Sequence, residues 1–166
     1  MAQWAYFDAS ALIKRYSLEV GTPLVNEAFR RLYPNQMTCA TLGILEIVSI
    51  LVRKRNDGRL SQASFEQAMI DLRFEIIDRT DFPVSPINDA VAFSALDLIV
   101  QHNINATDAM ILRSALDVRR VLQTTGDELT LWSSDKRLVR AAQREGLTVF
   151  DPEAETMDDL HRLLEL

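Results

Sequence analysis

"WAYFDASALIKRY", residues 4–16, is the stretch that decides the fold. A short apolar run stops at Asp8, and small residues with a helical pattern follow at once, which predicts a strand that leads directly into a helix. Asp8 would then lie at the carboxyl end of a strand, where open α/β sheets bind their ligands. Capping the helix is the common structural role of an aspartate here, but Ser10 could serve that purpose as well. We therefore ask what neutralises Asp8.

The alternation of short strand and helix continues along the chain. It predicts strands at residues 4–7, 36–39, 129–133 and 148–150, with a weaker one at 82–84. Predicted helices cover residues 10–16, 22–32, 41–56, 61–77, 88–102, 108–123, 135–145 and 156–166. Short strands separated by helices predict an α/β fold whose central sheet is mostly parallel and covered by helices on both faces. We expect residues 1–166 to form a single domain.

Composition limits the classes of protein that this chain can represent. Cys39 is the single cysteine among 166 residues, so an internal disulfide is excluded and a reducing, cytoplasmic environment is expected. No apolar stretch approaches the roughly 20 residues of a membrane span, and no secretory signal is expected at the N-terminus. The formal net charge of −6 argues against a protein whose main task is to wrap nucleic acid.

A second carboxylate lies inside an apolar helix. "TLGILEIVSILVR", residues 41–53, has eight aliphatic residues among the eleven from Leu42 to Val52, which predicts a largely buried helix with Glu46 at its middle. An unpaired carboxylate in such a place costs several kcal/mol. Arg53 is about two turns away, a long reach for a local ion pair. A functional role for Glu46 is therefore favoured over a structural one.

Two further aspartates begin predicted helices. In "NATDAMILRSAL", residues 105–116, Thr107 can cap the helix, and Asp108 lies on the same face as the apolar Ile111 and Leu112. In "LTLWSSDKRLVRAA", residues 129–142, Asp135 follows a strand and a serine pair. Either aspartate could act only through the helix dipole or as a cap. Three aspartates at helix starts and one glutamate in an apolar helix form a set that capping alone does not predict.

Four converging carboxylates would need a counter-charge. Each pair at about 4 Å would repel by about 4 kcal/mol at an effective dielectric constant near 20. Protonation of some of the acids is one answer, and a bound divalent cation is the other. A site made of carboxylates without His or Cys selects Mg²⁺ or Mn²⁺, ions that promote the hydrolysis of phosphodiesters. On this interpretation a metal ion is the partner of Asp8.

The chain resembles the PIN-domain family of metal-dependent nucleases, and within it the VapC-like toxins of toxin–antitoxin pairs. The resemblance is carried by four segments in the family's order: "YFDASALIKRYSLEVGT" with Asp8, "LEIVSIL" with Glu46, "INATDAMIL" with Asp108 and "LWSSDKRL" with Asp135. Each segment alone has low specificity, and the four together cover nearly the whole chain. The segment from Asp78 to Asn88 and the C-terminal residues make it longer than many toxins of this group.

The resemblance implies a three-layer α/β/α domain with a central parallel sheet of about five short strands and an endoribonuclease activity. Asp8, Glu46, Asp108 and Asp135 would hold Mg²⁺ or Mn²⁺, and Ser133 would help position a ligand or water beside the last acid. The resemblance also implies a homodimer and an antitoxin protein that inhibits the enzyme. Candidate groups for holding RNA flank the acidic segments: Lys14, Arg15, Arg53, Lys54, Arg55, Lys136, Arg137 and Arg140.

Three other interpretations remain. The chain could be a PIN-fold module that binds proteins without catalysis, although the presence of all four acids argues against this. It could be a PIN nuclease of RNA processing outside a toxin–antitoxin system. A phosphoryl-transfer or receiver domain that uses Asp8 as a nucleophile is disfavoured, because position 10 is a serine and Lys136 directly follows an aspartate. His102 and His161 are expected to be structural or solvent-exposed.

Overall fold

Five short strands form one parallel sheet. In a computed structural model that describes residues 1–164, the strands are β1 (Gln3–Phe7), β2 (Met37–Ala40), β3 (Val84–Ser85), β4 (Glu128–Trp132) and β5 (Thr148–Phe150). Their order across the sheet is β3-β2-β1-β4-β5, and every neighbouring pair is parallel. The register aligns Phe7 with both Cys39 and Trp132. The central position of β1 places Asp8 in the middle of the carboxyl edge of the sheet.

Helices connect the strands and follow the last of them. They are α1 (Ala9–Tyr16), α2 (Thr22–Arg31), α3 (Thr41–Asn56), α4 (Gln62–Leu72), α5 (Asp89–Ser94), α6 (Leu96–His102), α7 (Ala106–Gln123), α8 (Lys136–Arg144) and α9 (Met157–Leu163). A 3₁₀ turn, Pro34–Gln36, precedes β2, and a π-helical turn, Arg73–Ile77, extends α4.

Successive residues of each strand point to opposite faces of the sheet and build two cores. Phe7 and Trp132 belong to the core that also contains residues of α1 and α3, and their rings pack 5.1 Å apart. The preceding residues, Tyr6 and Leu131, belong to the other core together with residues of α7 and α8. All four of these side chains are at most 1% exposed. Because both faces of the sheet are covered by helices, the predicted three-layer α/β/α fold is confirmed.

Some sequence predictions about helices are wrong. α3 is not largely buried, since the side chain of Leu45 is 61% exposed and the residues buried along it are Gly43, Ile44, Ile47 and Leu51. The predicted helix at 88–102 is divided at Ala95 into α5 and α6. The predicted helix at 156–166 ends at Leu163, and residues 165–166 lie outside the described part.

Within residues 1–164, no helix has the length and apolarity required to cross a membrane.

Candidate active site

Asp8 joins the central strand to the first helix. Its backbone N–H donates to the carbonyl of Trp132 at 2.9 Å, which continues the pairing of β1 with β4 by one residue. Its extended backbone and its side chain make it the N-cap of α1. The residue is 6% exposed, so the carboxylate is almost completely removed from water. Asp8 therefore caps a helix. Capping alone does not explain its burial, because an exposed aspartate can also cap a helix.

Two serines hold one oxygen of the Asp8 carboxylate. Oδ2 accepts hydrogen bonds from Ser10 Oγ at 2.6 Å, from Ser133 Oγ at 3.0 Å and from the backbone N–H of Ser10 at 3.3 Å. The backbone N–H of Ser134 donates to Ser10 Oγ at 2.9 Å. This network joins the start of α1 to the segment between β4 and α8, and it fixes the orientation of the carboxylate.

Burial dominates the electrostatics of Asp8. Desolvation raises the pKa of its carboxyl group above the ordinary value, and the hydrogen bonds from Ser10 and Ser133 oppose this shift only in part. A buried carboxylate with a raised pKa is a group that gains from a nearby positive charge.

Glu46 lies on α3, partly buried, and makes no ion pair within residues 1–164. Burial is the largest cause that raises its pKa, and the negative charges of Asp8, Asp108 and Asp135 also raise it. Together these causes bring the pKa of Glu46 to about 7. Coulomb forces of this kind act over short separations. Glu46 therefore shares one electrostatic environment with three acids that are far away in sequence.

Asp108 is in the first turn of α7. Asn105 is the N-cap of this helix, and it exchanges two hydrogen bonds with Asp108, each of 2.8 Å. The predicted cap, Thr107, is wrong, because the helix begins two residues earlier than predicted, at Ala106. Burial, followed by the charges of Asp135 and Asp8, raises the pKa of Asp108 to about 6, while Arg137 and Asn105 act in the opposite direction.

Asp135 caps α8 as the sequence suggested. Its Oδ1 accepts hydrogen bonds from the backbone N–H groups of Arg137 at 2.8 Å and Leu138 at 3.2 Å. Its own backbone N–H donates to Ser133 Oγ at 3.1 Å. Ser133, which is fully buried, thus connects Asp8 and Asp135.

The four acids meet electrostatically but not as a closed cage. Within residues 1–164, no three Asp, Glu, His or Cys side chains stand close enough to hold one metal ion directly. The donors that face the site are oxygen atoms of carboxylates and serine hydroxyls, which suits hard cations. Mg²⁺ usually keeps several waters and is bound through one or two carboxylates. The types of residue present therefore suit such an ion.

Sequence reasoning missed two residues near the site. The sequence suggests Ser10 only as a helix cap, although its hydroxyl makes the shortest of the described hydrogen bonds to Asp8. Asp151 follows β5 at the same edge of the sheet, is 6% exposed and forms an ion pair with Lys136. Burial raises the pKa of Asp151, but hydrogen bonds from Lys136 and the backbone of Glu153 outweigh it and the net shift is downward. Its position after the strand at 148–150 was the available signal.

Most of the predicted basic groups have other partners. Lys14 is buried and pairs with Glu19 and Glu153, and Lys54 also pairs with Glu19. Arg15 pairs with Glu75 at 2.5 Å. Lys136 pairs with Asp151, and the Arg55 guanidinium stacks over the ring of Phe65. Within residues 1–164, Arg53, Arg137 and Arg140 form no ion pair and keep their charge available.

The fold and the site define an α/β protein with four acids, Asp8, Glu46, Asp108 and Asp135, called the acidic site, that interact electrostatically at the carboxyl edge of a parallel sheet. The family model of the PIN domain matches residues 5–144, and the chain belongs to that family. No curated protein matches the sequence significantly.

Solved structures with the same fold differ widely in sequence. PAE2754 from Pyrobaculum aerophilum is 19% identical with a TM-score of 0.63, and the match covers 100% of both chains. VapC20 from Mycobacterium tuberculosis, a sarcin–ricin loop cleaving toxin, is 14% identical with a TM-score of 0.58 over 82% of this chain and 94% of that one. FitAcB from Neisseria gonorrhoeae is 15% identical with a TM-score of 0.57 over 91% and 99%. These similarities show the shared fold.

Proposed function

We propose that this protein is an endoribonuclease that uses Mg²⁺ or Mn²⁺ to hydrolyse phosphodiester bonds of RNA. The observation that carries the proposal is the placement of Asp8, Glu46, Asp108 and Asp135, from four distant segments, in one electrostatic environment at the edge of the sheet. Membership of the PIN domain family supports a nuclease activity. A bound divalent ion would supply positive charge for the phosphodiester and lower the pKa of a water molecule.

Each residue of the site has a proposed task. Asp8, Glu46, Asp108 and Asp135 hold the cation, directly or through water. Ser133 and Ser10 are positioning residues, because the two hydroxyls and the backbone N–H of Ser10 donate hydrogen bonds to Oδ2 of Asp8. None of these three hydrogen bonds goes to Oδ1. Burial of Asp8 keeps bulk water away from the carboxylate and so strengthens its attraction for a cation.

The proposal extends to the biological setting of a toxin inhibited by an antitoxin. It is supported by the structural similarity to VapC20, which is described as a toxin. A homodimer and an antitoxin both require an interaction surface, and large apolar side chains are exposed on this chain. Leu45 on α3, Phe93 on α5 and Val100 on α6 are 61%, 70% and 85% exposed. Light scattering at several protein concentrations measures the oligomeric state.

Cleavage of RNA tests the proposed activity directly. Purified protein and an Asp8→Asn variant are incubated with a pool of structured RNAs in Mg²⁺, in Mn²⁺ and in EDTA. We expect discrete fragments with the wild type in either metal, and none in EDTA or with Asp8→Asn. Asn is as good an N-cap as Asp, so the variant keeps the start of α1.

The alternative functions give different results in the same experiment. Metal-dependent cleavage without growth arrest on expression in bacteria would place the protein among RNA-processing nucleases outside toxin–antitoxin pairs. Absence of cleavage in both metals, together with no binding of divalent ions, would contradict the proposal and favour a protein-binding module.

A further inference from the structure

A polar cleft lies between α8 and the end of α6. It has a volume of about 230 Å³ and is lined by His102, Asn103, Arg137, Arg140, Ala141 and Arg144. The three arginines come from one face of α8, at spacings of three and four residues. They extend over about 10 Å of helix at 1.5 Å per residue.

The charge of this cleft is strongly positive. Arg137, Arg140 and Arg144 are exposed, and none of them forms an ion pair with another of residues 1–164. No carboxylate belongs to the lining residues. Arginines on a solvated surface usually have acids interspersed among them. Three without a partner on one wall of a cleft favour an anion as the ligand.

His102 adds a buried polar atom without a partner. Its side chain is 2% exposed, and Nε2 donates to Oε1 of Glu145 at 2.6 Å. Nδ1 is shielded from solvent and makes no hydrogen bond to the described residues. Buried polar groups are nearly always satisfied, and with Nε2–H donating to Glu145 the Nδ1 atom can donate to an anion in the imidazolium form of the ring, so an anion bound in the arginine cleft would complete it.

The cleft is electrostatically connected to the acids. Arg137 lowers the pKa of Asp108, and its backbone N–H donates to Asp135, so the arginine row begins at the acidic site and leads away from it along α8. An RNA strand whose reacting phosphodiester lies at the acids would pass this row with its neighbouring phosphates.

We propose that the cleft formed by Arg140, Arg144 and His102 binds a backbone phosphate of the RNA substrate next to the one that is cleaved. This inference rests on the proposed function, because it takes RNA as the ligand of the acidic site. Arg137, at the border of both sites, would bridge them. The arginine pair acts as a binding site and has no part in the chemical step.

RNA binding without cleavage tests this proposal. A fluorescent single-stranded RNA is titrated with wild-type protein and with the double variant Arg140→Gln/Arg144→Gln in EDTA, at several salt concentrations. We expect at least a tenfold loss of affinity at low salt. Each lost phosphate contact on a single strand lowers the slope of log affinity against log salt by about 0.7, and the double variant loses one such contact, so the slope should fall by about 0.7.

The matched control removes the same charge elsewhere. Arg120 lies on α7 and is exposed, and Arg73 has only an exposed pair with Asp78. Arg73→Gln/Arg120→Gln should bind RNA nearly as the wild type does. An equal loss in both double variants, or no loss in either, would overturn the proposal. Reduced thermal stability of Arg140→Gln/Arg144→Gln with unchanged RNA affinity would also overturn the proposal. The arginines would then have a structural role, in which they balance the partial negative charge at the C-terminal end of α6.

Inorganic phosphate provides an independent probe of His102. In nitrogen NMR spectra of the imidazole, phosphate should shift the His102 ring signals of the wild type and leave those of Arg140→Gln/Arg144→Gln unchanged. If the ring signals of the wild type do not change when phosphate is added, His102 is not part of the phosphate site.

Failure of this inference can be told apart from failure of the nuclease proposal. If the wild type cleaves RNA but the cleft variant binds like the control, the cleft proposal alone is wrong. If the wild type cleaves nothing in Mg²⁺ or Mn²⁺ while the cleft variant loses RNA affinity, phosphate binding stands and catalysis fails.

Discussion

Ser133 Oγ donates a hydrogen bond of 3.0 Å to Oδ2 of Asp8, across 125 residues of sequence. The same hydroxyl accepts a hydrogen bond from the backbone of Asp135. One buried serine therefore sets the relative position of the first and last acids of the site, and the parallel pairing of β1 with β4 brings it there.

Removal of this hydroxyl should reduce RNA cleavage without unfolding the protein. Ser133→Ala leaves Asp8 with one fewer donor, and hydrogen bonds to charged groups contribute about 1.5–3 kcal/mol. We expect cleavage to fall about tenfold or more, since 1.4 kcal/mol corresponds to a factor of ten. Ser10→Ala should act in the same direction, because Ser10 Oγ donates to the same oxygen.

The control for the serine variants is Ser49→Ala, at an exposed position of α3 where the hydroxyl bonds only to the carbonyl of Leu45. Its cleavage rate should match the wild type. If Ser133→Ala cleaved RNA as fast as Ser49→Ala, the hydrogen bond from Ser133 would not be required to position Asp8.

The raised pKa of Glu46 predicts a dependence of stability on pH in the absence of metal. An acid whose pKa rises on folding from 4.5 to about 7 holds its proton more tightly in the folded state. The free energy of unfolding therefore falls as pH rises through this window, and the loss is complete above it. Glu46→Gln removes the ionisable group, so it should be more stable relative to wild type at pH 8 than at pH 4.

Urea unfolding in EDTA at the two pH values measures this difference, with the exposed Glu66→Gln as the matched control. A Glu46→Gln effect that is the same at both pH values would contradict the raised pKa of Glu46, to which burial and the other acids both contribute. Addition of Mn²⁺ should raise the melting temperature of the wild type more than that of Glu46→Gln.

Asp151 should behave as a structural acid. Its pKa is lowered by Lys136, so it contributes stability above its ordinary pKa of 3.8 and loses that contribution as pH falls. Asp151→Asn should lower the free energy of unfolding at pH 7 by about 1 kcal/mol. Cleavage of RNA should stay within twofold of the wild type. Loss of cleavage comparable to that of Asp8→Asn would make Asp151 part of the site.

Two glycines should respond in opposite directions to alanine. Gly21 has φ +90°, and a Cβ there would lie 2.4 Å from the carbonyl oxygen of Pro152. Gly21→Ala should therefore destabilise the protein by about 2 kcal/mol or more.

Gly43 lies in α3 with no atom within 4 Å of an added Cβ, and Gly43→Ala should stabilise by about 0.5–1 kcal/mol. Thermal unfolding measures both, and a stabilised Gly21→Ala would contradict the contact with Pro152.

Local patterns were sufficient for the approximate positions of the strands and for the helix caps at Asp8 and Asp135. The apolar run before Asp8 and the serine pair before Asp135 have strong strand and cap signals, and both residues cap helices as expected. The three-layer fold could be predicted because alternating strands and helices can pack in few other arrangements. The functional roles of the acids remain predictions.

Tertiary contacts decided what the local patterns could not. The aliphatic count in α3 does not show that Leu45 faces solvent, because burial depends on which neighbours a helix has. The break at Ala95 has no Gly or Pro to mark it. The pairing of Lys136 with Asp151 and of Lys54 with Glu19 depends on how the elements pack, so basic groups near acidic segments could not be sorted from sequence.

Binding of Mn²⁺ tests the central claim, that four acids share one cation site, most directly. Free Mn²⁺ is counted by electron paramagnetic resonance during titration of the wild type, of Asp8→Asn, Glu46→Gln, Asp108→Asn and Asp135→Asn, and of Asp151→Asn as the control acid. The account predicts saturable binding by the wild type and by Asp151→Asn, with affinity reduced at least tenfold in each of the four site variants. Absence of binding by the wild type, or equal affinity in all variants, would contradict it.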